Sequence, residues 1–198
     1  DGQTANQLQY AVYHNGIKSD LNYQHVTVSN GKASFNQSLT AGETYTIILW
    51  ADYNDENDDS KDAPYTVKFA DEIANAKMEV NYTGIKSNDE TLDAFYAVKQ
   101  FTVNGAQTET VELKRPFAQL NIGTNDYKKA KDASGYEPTE SSVKVKGIYN
   151  TLNLANGTVS GAADVTFGSA DIDKAEKFPV TGYEYVAMNY VLVGAESV

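Results

Sequence analysis

Apolar residues along this chain recur mainly at every second position, the spacing of a β-strand with two distinct faces. Leu8, Tyr10 and Val12 share one face of a first strand, with Gln9, Ala11 and Tyr13 on the other. His25–Val28 and Ala33–Leu39 predict two more strands, joined by a hairpin turn over Ser29–Lys32. Ala41–Gly42 is a second turn, leading into Thr44–Ala51. That segment is apolar on both faces and so predicts a central, covered strand. Further strands are expected at Asp93–Val98, Thr108–Leu113, Phe117–Ile122, Val143–Tyr149, Leu152–Leu154, Thr158–Val159, Val165–Phe167 and Tyr183–Val193.

Three features interrupt this pattern. Ala70–Met78 is the best helical candidate, with Ile73, Ala74 and Met78 near helical spacing. Arg115–Pro116 breaks the ladder, because proline donates no hydrogen bond and fixes its own φ. Asn125–Ser142 is polar, carries Gly135 and Pro138, and predicts a long loop or a short helix plus loop. Asn156–Gly157 is a type I′ hairpin signal. About a dozen short strands separated by regular turns predict an all-β fold of sandwich type. The break at Arg115–Pro116 marks a junction between residues 1–114 and 115–198.

Composition narrows the function. The 198 residues hold 16 Lys+Arg against 27 Asp+Glu, a formal net charge of −11, and Arg115 is the only arginine. Nucleic acid and anionic lipid both call for clustered cations, so neither is expected as a partner. With no cysteine, disulfides, thiolate metal sites and thiol catalysis are excluded. No apolar run reaches the roughly 20 residues of a helical membrane span. The 14 tyrosines fit exposed strand faces that could serve subunit packing or glycan binding.

Candidate chemistry is sparse. Only His14 and His25 are present, and each reads as a surface histidine. Nucleophile elbows, phosphate loops, zinc-protease helices and dinucleotide fingerprints are all missing. A carboxylate-pair glycosidase has many possible residues but no motif that selects a pair. No cofactor is expected.

The stretch Asp52–Asp62 carries six carboxylates and one lysine. Within it Asp55, Asn57 and Asp59 have the alternate-oxygen spacing of a calcium loop, but Ser60 replaces the required glycine and Thr66 the closing glutamate. An EF-hand is excluded, and a looser calcium site competes with a plain solvated loop. Trp50, the only tryptophan, lies in the most apolar strand and is expected in the core. Asn36, Asn81 and Asn156 open glycosylation-type triplets that decide nothing in an Asn/Thr-rich chain.

Several blocks resemble the Bacteroidales fimbrillin-like family, which comprises type V pilus subunits and related surface lipoproteins. They are Leu8–Tyr13 with Asn15–Gly16, Leu39–Tyr45, Ile48–Tyr53, Asp93–Tyr96, Leu113–Asn121 and Tyr183–Tyr190, in order along nearly the whole chain. The resemblance implies two transthyretin-like β-sandwich domains, the second incomplete here, and no catalytic activity. It also implies export as a lipoprotein and location at the cell surface or in a fimbria, with outer-membrane attachment only through a lipid anchor that this chain does not contain.

Surface cleavage near Asp1–Gly2 would open a groove, and assembly would follow by β-strand addition from other pilus subunits, as homo- or hetero-polymers. Host or bacterial surface ligands are further expected partners. The resemblance implies more chain after Val198, including the donor strand. Lys114, Arg115 and Pro116 are expected to form a structural junction, the two cations in an interdomain ion pair and Pro116–Phe117 fixing the turn. A glycan-binding surface lipoprotein of the same fold is the alternative function.

Overall fold

A computed structural model describes residues 4–55, 63–172 and 177–193, with backbone alone for 21–25. The fold is an all-β sandwich. Its first layer is the antiparallel sheet β2-β1-β3-β6, built from β1 (Gln7–His14), β2 (Ile17–Thr27), β3 (Thr44–Asp52) and β6 (Phe95–Thr102). The β1–β2 hairpin turns on Asn15 and Gly16, whose φ values of 51° and 79° are those of a type I′ turn. As its two apolar faces predict, β3 is central, with β1 on one side and β6 on the other.

The opposing layer is pieced together from shorter ladders. One sheet has the order β10-β9-β5-β4, formed by β4 (Tyr65–Lys68), β5 (Lys77–Val80), β9 (Thr151–Asn153) and β10 (Val159–Ser160). Two further ladders pair β7 (Phe117–Thr124) with β12 (Glu184–Leu192), and β8 (Glu140–Ile148) with β11 (Ala163–Asp171). Residues 85–88 stitch these two together. Gly168 N–H donates to Ile85 O at 2.7 Å, Asn88 N–H donates to Met188 O at 2.8 Å, and Met188 N–H donates to Asn88 Oδ1 at 2.7 Å. Helix α1 (Tyr127–Ser134) stops at Gly135, left-handed at φ 68°.

Pairing crosses the Arg115–Pro116 position. Strand β5 pairs β9 through Met78 and Leu152, and a single apolar cluster draws on both parts of the chain. It joins Tyr13, Ile48 and Trp50 from the first sheet to Met78, Phe117, Leu152, Phe167 and Leu192. Trp50, expected in the core, is fully buried there.

Four local expectations are corrected. Ala70–Met78 holds only a 3-10 turn at Ile73–Asn75 before β5 begins. Ala76, Met78 and Val80 are all buried, so period two prevails over the helical spacing, and β4 and β9 supply the ladders on either side. Ala33–Leu39 and Thr108–Leu113 are not strands, although alternate side chains of the first, and Val111 and Leu113 of the second, turn inward as a strand's would. At Asn156–Gly157 only Gly157 is left-handed (φ 75°), and Asn153 N–H donates to Thr158 O across a four-residue loop, so the turn is not type I′.

Candidate functional site at the outer face of the first sheet

The two faces of the first sheet are both apolar, and they are covered differently. Ala11, Tyr13, Ile48 and Trp50 point into the main core, while Leu8, Tyr10, Val12, Ile47 and Leu49 point the other way and are also buried. Among the described residues no second sheet covers that outer face. Its cover is two extended straps, residues 33–39 and 105–113, which contribute Ala33, Phe35 and Leu39 from one and Val111 and Leu113 from the other. Neither strap forms a backbone–backbone hydrogen bond with another described residue. Backbone polar groups of extended chain normally find a ladder, so among the described residues these rows of N–H and C=O groups, Thr110 O apart, are left to water or to a further strand.

Side chains hold the straps in place. The Phe35 ring stacks on Tyr10 with centroids 4.1 Å apart and planes 11° from parallel. Gln37 donates its side-chain N–H to the Tyr10 hydroxyl, and Thr40 N–H donates to Tyr45 Oη at 3.2 Å. Turns bearing left-handed Gly31 and Gly42 bound this strap.

The second strap is fastened by Lys99, whose Nζ lies 2.7 Å from Glu109 Oε2 and 3.0 Å from Thr110 O. The hydrogen bond from Lys99 holds the Glu109 carboxyl below its usual range. At the strap's end Lys114 and Tyr96 exchange backbone hydrogen bonds of 2.9 Å. Beyond that contact the outward edge of β6 has no strand partner among the described residues.

The junction residues lie where this strap enters β7. Arg115 clasps Asp93 side-on, Nε to Oδ1 at 2.6 Å and Nη2 to Oδ2 at 2.7 Å. The Asp93 carboxylate is fully buried, and the guanidinium also sits over Phe95 and Tyr190, 5.4 and 5.7 Å from the ring centroids. Tyr190 O–H donates to Glu90 Oε2 at 2.8 Å. Hydrogen bonding to Asp93 raises the Arg115 pKa further, while burial first and Glu90 second raise that of Tyr190. Pro116 is buried beside them, and Lys114 takes part through its backbone. The arginine's partner is thus an aspartate 22 positions upstream, with the side chain of Lys114 exposed.

The other marked residues do not converge. His14 Nε2 lies 2.9 Å from Glu43 Oε2 at the surface, its ring 5.0 Å from Tyr45. His25 lies in β2, and its side chain is outside the described ones. Of the calcium candidates, Asp55 is half-buried at the end of a described stretch, whereas Asn57 and Asp59 lie outside the described residues. Among the described residues no three His, Asp or Glu side chains cluster as a metal site would require, and no helix is long and apolar enough to cross a membrane.

Sequence reading missed the parts of Phe35, Gln37, Val111 and Leu113 in covering this face. Their alternation was visible, but alternation reports which side chains face inward and not whether the backbone is paired.

Comparison with known proteins shows what the chain is similar to. No curated protein matches the sequence. Among solved structures, a candidate polysaccharide-binding protein (DUF1812) from Bacteroides thetaiotaomicron superposes with a TM-score of 0.58 at 15% identity, over 94% of this chain and 64% of that one. A candidate adhesin from Bacteroides ovatus superposes with a TM-score of 0.49 at 11% identity, over 100% of this chain and 64% of that one. The chain thus spans less than two thirds of the length of either. Residues 3–198 match the family of unknown function DUF6562, and the protein belongs to that family.

Proposed function

We propose that this protein is a non-enzymatic cell-surface adhesin or pilus subunit that assembles by β-strand addition. One observation carries the reading: an apolar sheet face is closed by two straps, the first with alternate side chains inward and the second with Val111 and Leu113 inward, whose backbones lack ladder partners among the described residues. An incoming strand would supply those partners and add apolar side chains at every second position. The resemblance to fimbrillin-like proteins supports the same reading, and so does a fold shared with a candidate polysaccharide-binding protein of a Bacteroides species.

Immunogold electron microscopy of the source bacterium, with antiserum against this chain, tests the proposal. Gold strung along filaments is the expected result. Gold spread over the surface without filaments overturns pilus assembly and leaves the glycan-binding surface protein as the better reading. An unlabelled surface overturns both.

A further inference from the structure

At the end of the β7–β12 ladder, one turn projects two large apolar side chains into solvent. Val180 and Tyr183 are 52% and 42% exposed, two of five such residues among those described. They stand at the first and last positions of a β-turn closed by Tyr183 N–H donating to Val180 O at 3.2 Å, with Gly182 left-handed at φ 84°.

The turn is anchored from below. The Phe178 ring lies against the bare Cα of Gly123, where an added Cβ would come within 2.7 Å of it. Phe178 also contacts Tyr183 and Tyr185, with centroids 5.9 and 5.6 Å apart, and Tyr185 O–H donates to Asn121 Oδ1 at 2.6 Å. Phe178 and Tyr185 thus pack this segment from below, while Tyr183 touches Phe178 and keeps 42% of its surface exposed.

We infer that Val180 and Tyr183 form a stacking platform for one sugar ring of a neutral polysaccharide. An exposed tyrosine offers a rigid apolar plate with a hydroxyl at its rim, suited to the C–H face of a pyranose. Thr181 and Glu184, both exposed beside it, supply hydrogen-bonding groups for sugar hydroxyls. The chain's net charge of −11 disfavours acidic glycans. Two projecting side chains are also far short of the roughly 800 Å² per partner of a stable protein interface. The inference specifies the glycan-binding reading and does not depend on strand addition, so either can fail alone.

The test is saturation-transfer NMR on the intact chain with dextran, mannan and galactan, and with polygalacturonate as the anionic control. At least one neutral polymer should receive saturation and be displaced by its own short oligosaccharide, with no transfer to polygalacturonate. Tyr183→Ala should weaken that binding by about tenfold, whereas Tyr183→Phe, which keeps the ring, should stay within about threefold. Because Tyr183 also touches Phe178, Val180→Lys serves as a second variant that blocks the platform without removing the ring. No binding by any neutral polymer overturns the assignment, as does undiminished binding by both Tyr183→Ala and Val180→Lys.

Discussion

The two faces of the first sheet differ far less in their residues than in what covers them. Both are lined by Leu, Ile, Val, Tyr or Trp side chains buried from water. The inner face meets paired strands, a set of packed aromatic rings and the Asp93–Arg115 clasp, all held to one another by backbone or charge-assisted bonds. The outer face meets straps held by ring stacking, the Gln37 and Thr40 bonds to tyrosine hydroxyls, Lys99 and, at one end, the Lys114–Tyr96 backbone pair. Burial alone therefore does not make a wall permanent. The same apolar area can be sealed into the fold or merely shielded, and the difference lies in where the covering backbone bonds go.

Substitutions should expose this contrast. The largest effect is expected at Phe167, fully buried in the inner core. Phe167→Ala should cost about 4 kcal/mol in chemical denaturation. Phe35→Ala removes a ring of the same size from the outer strap, which is only half-buried, and should cost about 1 kcal/mol, mostly the lost stacking on Tyr10. Equal losses at the two sites would erase the distinction between sealed and shielded faces.

Next comes the clasp. Arg115→Ala leaves the Asp93 carboxylate buried without its bidentate partner and should destabilise by about 3 kcal/mol, measured by urea unfolding at neutral pH. Arg115→Lys should recover only part of this, since an ammonium cannot match both carboxylate oxygens.

Alkaline titration sharpens the comparison further. Burial pushes Tyr13 and Tyr82, both in or against the inner core, up to about 12. A raised folded value means the stabilising protonated form is fully present below the ordinary tyrosine range near 10, and that stability is lost as pH rises from there toward 12. Phenolate absorbance from Tyr13 and Tyr82 should therefore appear above that range, together with unfolding. A single step near 10 with the fold intact would contradict the burial assigned to these rings.

The smallest effect is expected at Lys99→Ala. This surface contact should change global stability by less than about 0.5 kcal/mol. Limited proteolysis within residues 105–113 should nonetheless quicken, because Lys99 fastens this strap to the β6 edge.

How much of this was legible in the sequence depended on whether the deciding partner was local. Strands β1 and β3 were readable because apolar residues on both faces leave few alternatives to a covered strand. Ile73, Ala74 and Met78 misled, since a nine-residue window fits two periods and the choice was made by β4 and β9, the latter more than 70 residues away in sequence. Ala33–Leu39 was read correctly for facing and wrongly for pairing, because no pattern within a segment states whether a neighbour donates hydrogen bonds to it. Arg115 was marked as a junction by its proline, yet its partner Asp93 lay hidden among 27 acidic residues. Phe178 on Gly123 had no sequence signal, as the approach exists only once β7 and the 177–185 segment are brought together.

The central claim, that the outer face is shielded by straps and is completed by an added strand, is tested most directly by hydrogen exchange with residue resolution. Exchange would be followed in the isolated chain and in filaments recovered from the source bacterium. The account predicts that amides of residues 33–39 or 105–113 exchange freely in the isolated chain and become strongly protected in filaments, while β3 is protected in both. Protection of both straps in the isolated chain, or free exchange of both in filaments, would contradict it.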